Sequence, residues 1–270
     1  MTALKARPYG TQAEDLTIDF NQPLRPHLET QLLSCCLQGA DGNALAPDFF
    51  WKMGVSQRIA KLLNIVALSE GACFDFTLSC PEETCRETMS IEIDFDSLYQ
   101  LQQSAYEETA VVLEKHALCV RRPTGQDQLN WLTQPASEKG LQAMIQALLV
   151  RPDVSFDVSS DINFAQVSQP EPTDEQLLLA LPALNQALDR LDPLVNFTLS
   201  VTCPHCDRTT QSDLDLGAWA LEKLRRSQQQ LISMVHRLAS YYHWSESEIF
   251  AIPSWRRSHY LALIEREVIG

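Results

Sequence analysis

Phe76-Thr77-Leu78-Ser79-Cys80-Pro81 returns later in the chain as Phe197-Thr198-Leu199-Ser200-Val201-Thr202-Cys203-Pro204. In each copy an alternating apolar stretch runs into a Cys-Pro turn with a second cysteine, Cys85 or Cys206. A second stretch, alternating between apolar and polar or acidic residues, then leaves the turn. Alternation with a period of two residues is typical of a β-strand with one buried face. Each copy therefore predicts a β-hairpin whose tip presents two cysteine thiolates.

The two predicted hairpin tips together supply four sulfur atoms, the number that a closed tetrahedral zinc site requires. Cys203 and Cys206 are separated by two residues. Cys80 and Cys85 are separated by four, and both spacings occur in zinc sites. Four protein thiolates leave no position for an activated water molecule, so we predict one structural zinc ion with these four ligands. Two alternatives stay open: zinc held by one pair with other ligands, or two pairs that never meet.

The other cysteines and the nearby histidine are weaker candidates for the metal. Cys35, Cys36 and Cys119 lie among apolar residues, where a cysteine is typically a small core side chain. His205 lies between the cysteines of the second pair, and we expect it to face solvent at the hairpin tip. Cys73 precedes the first hairpin strand and remains a reserve ligand.

The bulk composition limits the class of protein. The chain has 270 residues, of which 45% are hydrophobic and 21% charged, and its formal net charge is −14. Its first residues lack the apolar core of a signal peptide, and no apolar stretch approaches the length of a membrane span, so we expect a cytosolic protein. Eight cysteines in that compartment favour metal binding over disulfides. The negative charge disfavours nucleic acid as a partner, because phosphate backbones are bound by clustered Lys and Arg.

The repeat extends upstream of the first hairpin and predicts a first lobe at residues 1–116. An alternating stretch at residues 16–20 predicts a strand. Apolar residues at helical spacing then predict one helix over about residues 28–37 and another over about residues 55–67. The first hairpin follows these helices.

A second lobe is predicted at residues 117–220, with the same order of elements. A strand at residues 117–120 precedes a helix with Thr124 as its N-cap, and a further helix follows over about residues 141–149. A polar, acidic loop at about residues 152–172 leads to a capping box at Thr173-Asp174-Glu175-Gln176 and a helix that leads to the second hairpin.

Residues 221–270 predict a helical C-terminal extension. An apolar stripe marks one long helix to Tyr242, a capping box at Ser245 begins a short helix, and Pro253 begins a last helix. This part carries +2, whereas the preceding 220 residues carry −16. Aromatic residues interleaved with arginines can anchor a protein interface or form a small core of their own. The predicted partner-binding residues are Trp244, Trp255, Arg256, Arg257 and Tyr260.

Sequence motifs of enzymes are missing from the chain. It contains no His-x-x-x-His pair, no Gly-rich phosphate loop, no nucleophile elbow and no deaminase signature of His-x-Glu followed by Pro-Cys-x-x-Cys. Its acidic residues do not pair on an apolar background that would raise their pKa values. We therefore expect a protein without catalytic activity.

Three segments resemble a known family. One is the stretch at residues 118–128, which contains Arg121-Arg122-Pro123-Thr124-Gly125-Gln126-Asp127-Gln128. Another runs from Asp192-Pro193-Leu194 through Cys203-Pro204-His205-Cys206 to the strand after it, and the third covers 236–249 and 256–261. Together they resemble the T4-like baseplate hub proteins and hub assembly chaperones of contractile phage tails and contractile injection systems. The resemblance covers about residues 117–266 well and the first half more faintly.

The resemblance implies a non-enzymatic role in building the baseplate around its hub and spike, by binding a hub or spike protein in the cytoplasm of a bacterial host. The acidic loop and the wide spacing of Cys80 and Cys85 depart from the family pattern. The expected fold is α+β and mostly helical, with two related lobes that share a zinc-ribbon-like site, followed by a helical extension. The alternative is a zinc-ribbon nucleic-acid or transcription-associated binding protein.

Overall fold

The computed structural model describes residues 4–105, 108–113, 116–150 and 173–269, with the backbone alone for residues 108–113, 116–118, 174 and 268–269. Within these ranges the protein is α+β, with many helices and four small antiparallel sheets, which confirms the predicted class. The acidic loop predicted at about residues 152–172 lies outside the described residues. None of the helices in these ranges combines the length and apolar character needed to cross a bilayer.

The chain up to the helix that follows the first hairpin contains, within the described residues, four β-strands, four α-helices and one 3₁₀ helix. They are β1 (Leu4–Ala6), a 3₁₀ helix (Ala13–Thr17), α1 (Arg25–Cys36), β2 (Leu37–Gly39), α2 (Pro47–Trp51), α3 (Val55–Glu70), β3 (Cys73–Ser79), β4 (Thr88–Asp94) and α4 (Phe95–Gln103). The predicted helices over about 28–37 and 55–67 are α1 and α3. Both form because their leucines and valines recur at helical spacing and can be buried on one side.

The rest of the chain contains a further set of helices and strands and ends in three helices. Its elements are β5 (Glu108–Leu113), β6 (His116–Arg121), α5 (Gly125–Trp131), α6 (Glu138–Leu148), β7 (Leu149–Val150), α7 (Asp174–Leu179), α8 (Leu181–Leu191), β8 (Phe197–Thr202), β9 (Thr209–Leu214), α9 (Leu216–Tyr242), α10 (Glu246–Ala251) and α11 (Ser254–Ile269). Thr124, Thr173 and Ser245 are N-caps in capping boxes, as predicted. The helix predicted after Thr173 is divided into α7 and α8, where Pro182 stands in the first turn of α8.

Both predicted hairpins are present. β3 pairs with β4 so that Phe76 stands opposite Ile91, and β8 pairs with β9 so that Leu199 stands opposite Ser212. Along β3 and β8 the side chains alternate between exposed and buried or half-buried positions. The ring of Trp219 on α9 stacks on Phe76, with 4.8 Å between ring centroids. The inner faces of the hairpins therefore rest on the main core, and their tips project from it.

The main core lies between α1, α3 and the first part of α9. It contains fully buried leucines from all three helices, including Leu32, Leu62 and Leu224. A second core joins β6 to α6, α7 and α8 around Val120 and Leu184. The first lobe and the start of α9 thus share one core, and the helices of the second lobe have another.

The predicted boundary between residues 220 and 221 falls inside α9. Leu216 and Leu224, on either side of that boundary, are both buried in the main core. Only the later part of α9 leaves this core and forms a third cluster with α10 and α11, around Leu238, Ile249 and Ile264. The helix is continuous because its apolar stripe is continuous, and it ends at His243 with a left-handed φ of 57°.

The strand predicted at residues 16–20 is wrong, because a 3₁₀ helix occupies residues 13–17. The carboxylate of Asp15 is completely buried and accepts hydrogen bonds from the backbone N–H groups of Gly10, Thr11 and Gln12. It also pairs with both terminal nitrogens of Arg7, at 2.9 and 2.5 Å. These bonds hold the segment in a tight turn, and the first strand of this lobe is β1.

Candidate metal centre

The four predicted cysteines converge at the tips of the two hairpins. Sγ of Cys80 lies 3.7 Å from Sγ of Cys206, and Sγ of Cys85 lies 3.8 Å from Sγ of Cys203. All four sulfur atoms lie within 4.8 Å of one another. A tetrahedral zinc ion with Zn–S bonds of about 2.3 Å requires sulfur atoms about 3.8 Å apart. The cluster therefore fits a four-coordinate metal ion in size, and its all-sulfur donor set suits a thiophilic metal.

The first tip holds its cysteines through a turn of the backbone. The N–H of Cys80 donates to Glu87 O at 2.8 Å, which closes the hairpin immediately outside the ladder. The N–H groups of Cys85 and Arg86 both donate to Glu82 O, at 2.9 and 3.0 Å. Arg86 has a left-handed φ of 50°. This turn directs the second cysteine back towards the first.

The second tip repeats that arrangement in a shorter loop. The N–H of Cys203 donates to Arg208 O at 2.9 Å, and the N–H of Asp207 donates to Cys203 O at 2.9 Å. Asp207 has a left-handed φ of 56°. In both tips, therefore, the residue after the second cysteine has a left-handed backbone conformation although it is not glycine. Such a conformation costs about 1 kcal/mol or more and persists where the surrounding structure requires it.

The sulfur atoms differ in exposure. Cys80 and Cys203 are buried, Cys85 is partly buried, and Cys206 is exposed. Met89 and the flanking residues Leu78 and Val201 surround the buried pair with apolar atoms. This cover shields the inner side of the cluster from water, while its outer side faces solvent.

The thiols favour different protonation states. The backbone N–H of His205 donates to the sulfur of Cys203 and lowers the pKa of that thiol to about 7. At Cys85 a hydrogen bond from Glu87 N–H acts in the same direction, but burial and the neighbouring sulfurs outweigh it and raise the pKa to about 12. Four negative sulfurs this close repel one another, so all four ionise together only when a cation lies between them.

An ion pair connects the two tips beside the sulfur cluster. Nη1 of Arg208, from the second tip, lies 2.5 Å from Oε2 of Glu82 in the first. Sequence reasoning missed this contact, because opposite charges at two turns give no signal until the fold brings the turns together. The pair is half-exposed and contributes at most about 1 kcal/mol, so it orients the tips more than it holds them.

The remaining candidate ligands lie away from the cluster. His205 and Cys73 are exposed, and Cys73 is at the far end of β3 from the tip. The other grouping of metal-binding side chains within the described residues is Asp15 with Cys35 and Cys36. There Arg7 already binds both oxygens of Asp15, and Cys35 also contacts that carboxylate at 3.0 Å. A guanidinium occupies the place that a metal ion would need.

A buried polar group joins the two halves away from the cysteines. Oδ1 of Asp192 lies 3.4 Å from Nε of Arg122 and accepts from the N–H of Ser56 at 3.4 Å. Oγ of Ser56 accepts from the N–H of Leu194 at 3.2 Å and donates to Gln102. Burial outweighs the charge of Arg122 and raises the pKa of Asp192 to about 7. This group fixes the start of α3 against the end of α8.

The predicted partner-binding residues separate into two sets. Trp244 and Tyr260 belong to the third core, with 5.2 Å between their ring centroids. Arg257 is 5% exposed and lies over the ring of Phe250. Trp255 is 65% exposed, and Arg256 is also exposed. The structure thus leaves Trp255 and Arg256 available to a partner and buries the other three wholly or partly.

Comparison of the chain with protein-family models, with curated proteins and with solved structures finds no match. The candidate metal centre is therefore supported by its own geometry alone, through the sulfur distances and the two matching turns. The likeness to baseplate hub proteins remains an expectation from the three sequence segments.

Proposed function

We propose that this protein is a non-enzymatic assembly chaperone or structural component of the baseplate hub of a contractile phage tail or contractile injection system. In this proposal it binds a hub or spike protein, and it acts in the cytoplasm of the bacterial host during assembly. The observation that carries the proposal is the position of the family-like segments. Arg122 and Asp192 come from two of them and meet in the buried polar group, and Cys203 and Cys206 supply half of the sulfur cluster.

One structural zinc ion is part of the proposal. Its ligands would be Cys80, Cys85, Cys203 and Cys206, whose sulfur distances match a tetrahedral site. All four positions would be filled by protein, so the ion would hold the hairpins together and activate no water. The two halves of the chain would then present one rigid body to a partner.

The proposal also includes that the two lobes arose by duplication of one segment. The order of their helices and strands supports this. α1 runs directly into β2, which pairs back onto β1, and α6 runs directly into β7, which pairs back onto β6. Each lobe then has a short helix and a longer one before its cysteine hairpin. After each hairpin an aspartate caps the next helix: Asp94 accepts from Ser97 N–H, and Asp215 accepts from Ala218 N–H.

An ion pair after the first strand gives further support to duplication. In the first lobe the guanidinium of Arg7 binds both oxygens of Asp15. In the second, the guanidinium of Arg121 binds both oxygens of Asp127, at 2.7 and 2.8 Å. Each aspartate also accepts a backbone N–H from the turn before its helix. The arginine follows β1 in one lobe and ends β6 in the other.

The direct test is capture of a partner. The tagged chain would be expressed together with each hub and spike protein of a contractile tail, and retained complexes would be measured after a wash at 0.3 M salt. We expect one of these proteins to bind with a stoichiometry that size-exclusion chromatography can define. Binding of DNA or RNA at physiological ionic strength, with no capture of hub or spike proteins, would instead favour the zinc-ribbon alternative.

A further inference from the structure

The last helix, α11, has apolar residues on two opposite sides. Tyr260, Leu261 and Ile264 face α9 and belong to the third core. Trp255 and Leu263 lie on the other side, and they are 65% and 47% exposed. A helix that only closed a small core would need one apolar side, with polar residues opposite. The outer side of α11 is therefore an apolar surface that packing within the described residues does not use.

The exposed residues form a stripe with helical spacing. Trp255, His259 and Leu263 are spaced at i, i+4 and i+8, so they lie within about 80° around the helix axis. The rings of Trp255 and His259 meet edge to face, with 6.0 Å between centroids. Large aromatic side chains that stay exposed on a rigid helix are the usual anchors of protein interfaces.

Two arginines flank the stripe. Arg256 and Arg266 are exposed, near the start and end of α11, roughly 15 Å apart along the helix. Neither forms an ion pair with any residue in the described ranges. Glu265 of the same helix pairs with Arg237 at 2.9 Å, so its charge is already offset, and the exposed Glu267 next to Arg266 is the other acidic residue of the helix. These cations stand out in a chain whose net charge is −14.

We propose that the outer side of α11, formed by Trp255, His259 and Leu263 between Arg256 and Arg266, is the docking surface for an amphipathic segment of a partner protein. That segment has apolar residues to cover the stripe and acidic residues to meet the two arginines. The proposal rests on the proposed function for the identity of the partner, a hub or spike protein. The net charge of −14 disfavours an acidic segment over most of the chain, so the two exposed arginines favour its binding on this helix.

The test compares matched variants in the complex of the full chain with the captured hub or spike protein. Trp255→Ala should weaken binding by more than tenfold, and Arg256→Glu by about tenfold with a weaker dependence on salt. The controls are Leu179→Ala, at an apolar residue on α7 that is 75% exposed, and Arg226→Glu, at an exposed arginine on α9. Both controls should change affinity by less than threefold.

The outcomes separate the two proposals. Capture that is unchanged by Trp255→Ala and Arg256→Glu would overturn the docking surface and leave the proposed function intact. Failure of every hub and spike protein to bind would overturn both. Sedimentation of the free chain is the second measurement: a dimer that Trp255→Ala converts to monomer would show that another copy covers the stripe, and would also overturn the proposal.

Discussion

Replacing Cys206 by serine is the sharpest test of the metal centre. Cys206 is exposed, so the serine hydroxyl contacts water and the substitution buries no new polar group. The closed set of four thiolates is then reduced to three. We expect the purified protein to contain about one zinc ion per chain and the Cys206→Ser variant to contain much less.

The expected loss of stability follows from the sequence separation of the ligands. Cys80 and Cys206 are 126 residues apart in the chain. In the polymer model used for disulfides, closing a loop of that length lowers the entropy of the unfolded chain by an amount equivalent to about 5 kcal/mol. The unfolded chain would have to close this loop to bring both pairs of cysteines to one metal ion, whereas the folded chain has closed it already. The folded state should therefore bind the proposed ion more tightly by about that amount, and this difference in binding stabilises the fold. The free energy of unfolding of Cys206→Ser should therefore fall by about 5 kcal/mol.

The assay is urea denaturation with zinc analysis of the same samples. Cys73→Ser is the matched control, because Cys73 is also exposed but lies away from the sulfur cluster. The control should keep its zinc, and its free energy of unfolding should stay within about 0.5 kcal/mol of that of the original chain. A chelator should lower the free energy of unfolding of the original chain to that of Cys206→Ser. It should leave the free energy of unfolding of the variant unchanged. A purified chain that is free of metal and equally stable would refute the reasoning.

Three further substitutions test the buried charges. Asp192 has a folded pKa of about 7, above its unfolded value of about 3.9, so the protein should lose stability as pH rises from 4 to 7, and Asp192→Asn should flatten that dependence in urea titrations. Asp15 has a lowered pKa through its bonds to Arg7 and the backbone, although burial opposes the shift. The ionised carboxylate of Asp15 therefore stabilises the fold above about pH 4, and this stabilisation is lost below that pH. Asp15→Ala should lower the free energy of unfolding by about 3 kcal/mol at pH 7 and by less in acid. Arg257 is buried, and its Nε and Nη1 have no hydrogen-bond partner within the described residues, so Arg257→Met should leave the melting temperature unchanged or raise it.

Each of these expectations has a contrary result. A pH dependence between 4 and 7 that is the same in Asp192→Asn would show that another group titrates there. Stability that is unaffected by Asp15→Ala would mean that the turn after β1 forms without its carboxylate. A melting temperature that falls by more than a few degrees in Arg257→Met would mean that the contact with Phe250 outweighs the cost of burying the charge.

Local patterns in the sequence predicted the parts of the fold that local chemistry determines. The hairpins follow from alternation and a Cys-Pro turn, and the helix starts at Thr124 and Ser245 follow from the capping boxes. The four cysteines could be grouped before the structure because the second tip repeats the first. Residues 16–20 could not be predicted, because the turn there depends on Arg7 reaching the carboxylate of Asp15.

The sequence also could not predict which side chains of α11 are buried and which are exposed. The sequence groups Trp255, Arg256 and Arg257 as neighbours, but a helix turns about 100° per residue and directs consecutive side chains to different sides. Which side is buried depends on where α9 and α10 lie, and that is information about tertiary structure. The helical period alone could have separated Trp255 from Arg257, had the packing side of α11 been known.

The sulfur cluster also sets an order of events during synthesis. Cys80 and Cys85 leave the ribosome long before Cys203 and Cys206, so a chain that stops before the second hairpin carries an incomplete site whatever the state of its first lobe. If the cluster binds zinc as proposed, metal capture would distinguish a chain that contains both hairpins from a shorter fragment. A shortened product would leave the first two cysteines without their partners and open to oxidation, and in the proposed site only a chain that includes the second tip could bind the metal through both hairpins.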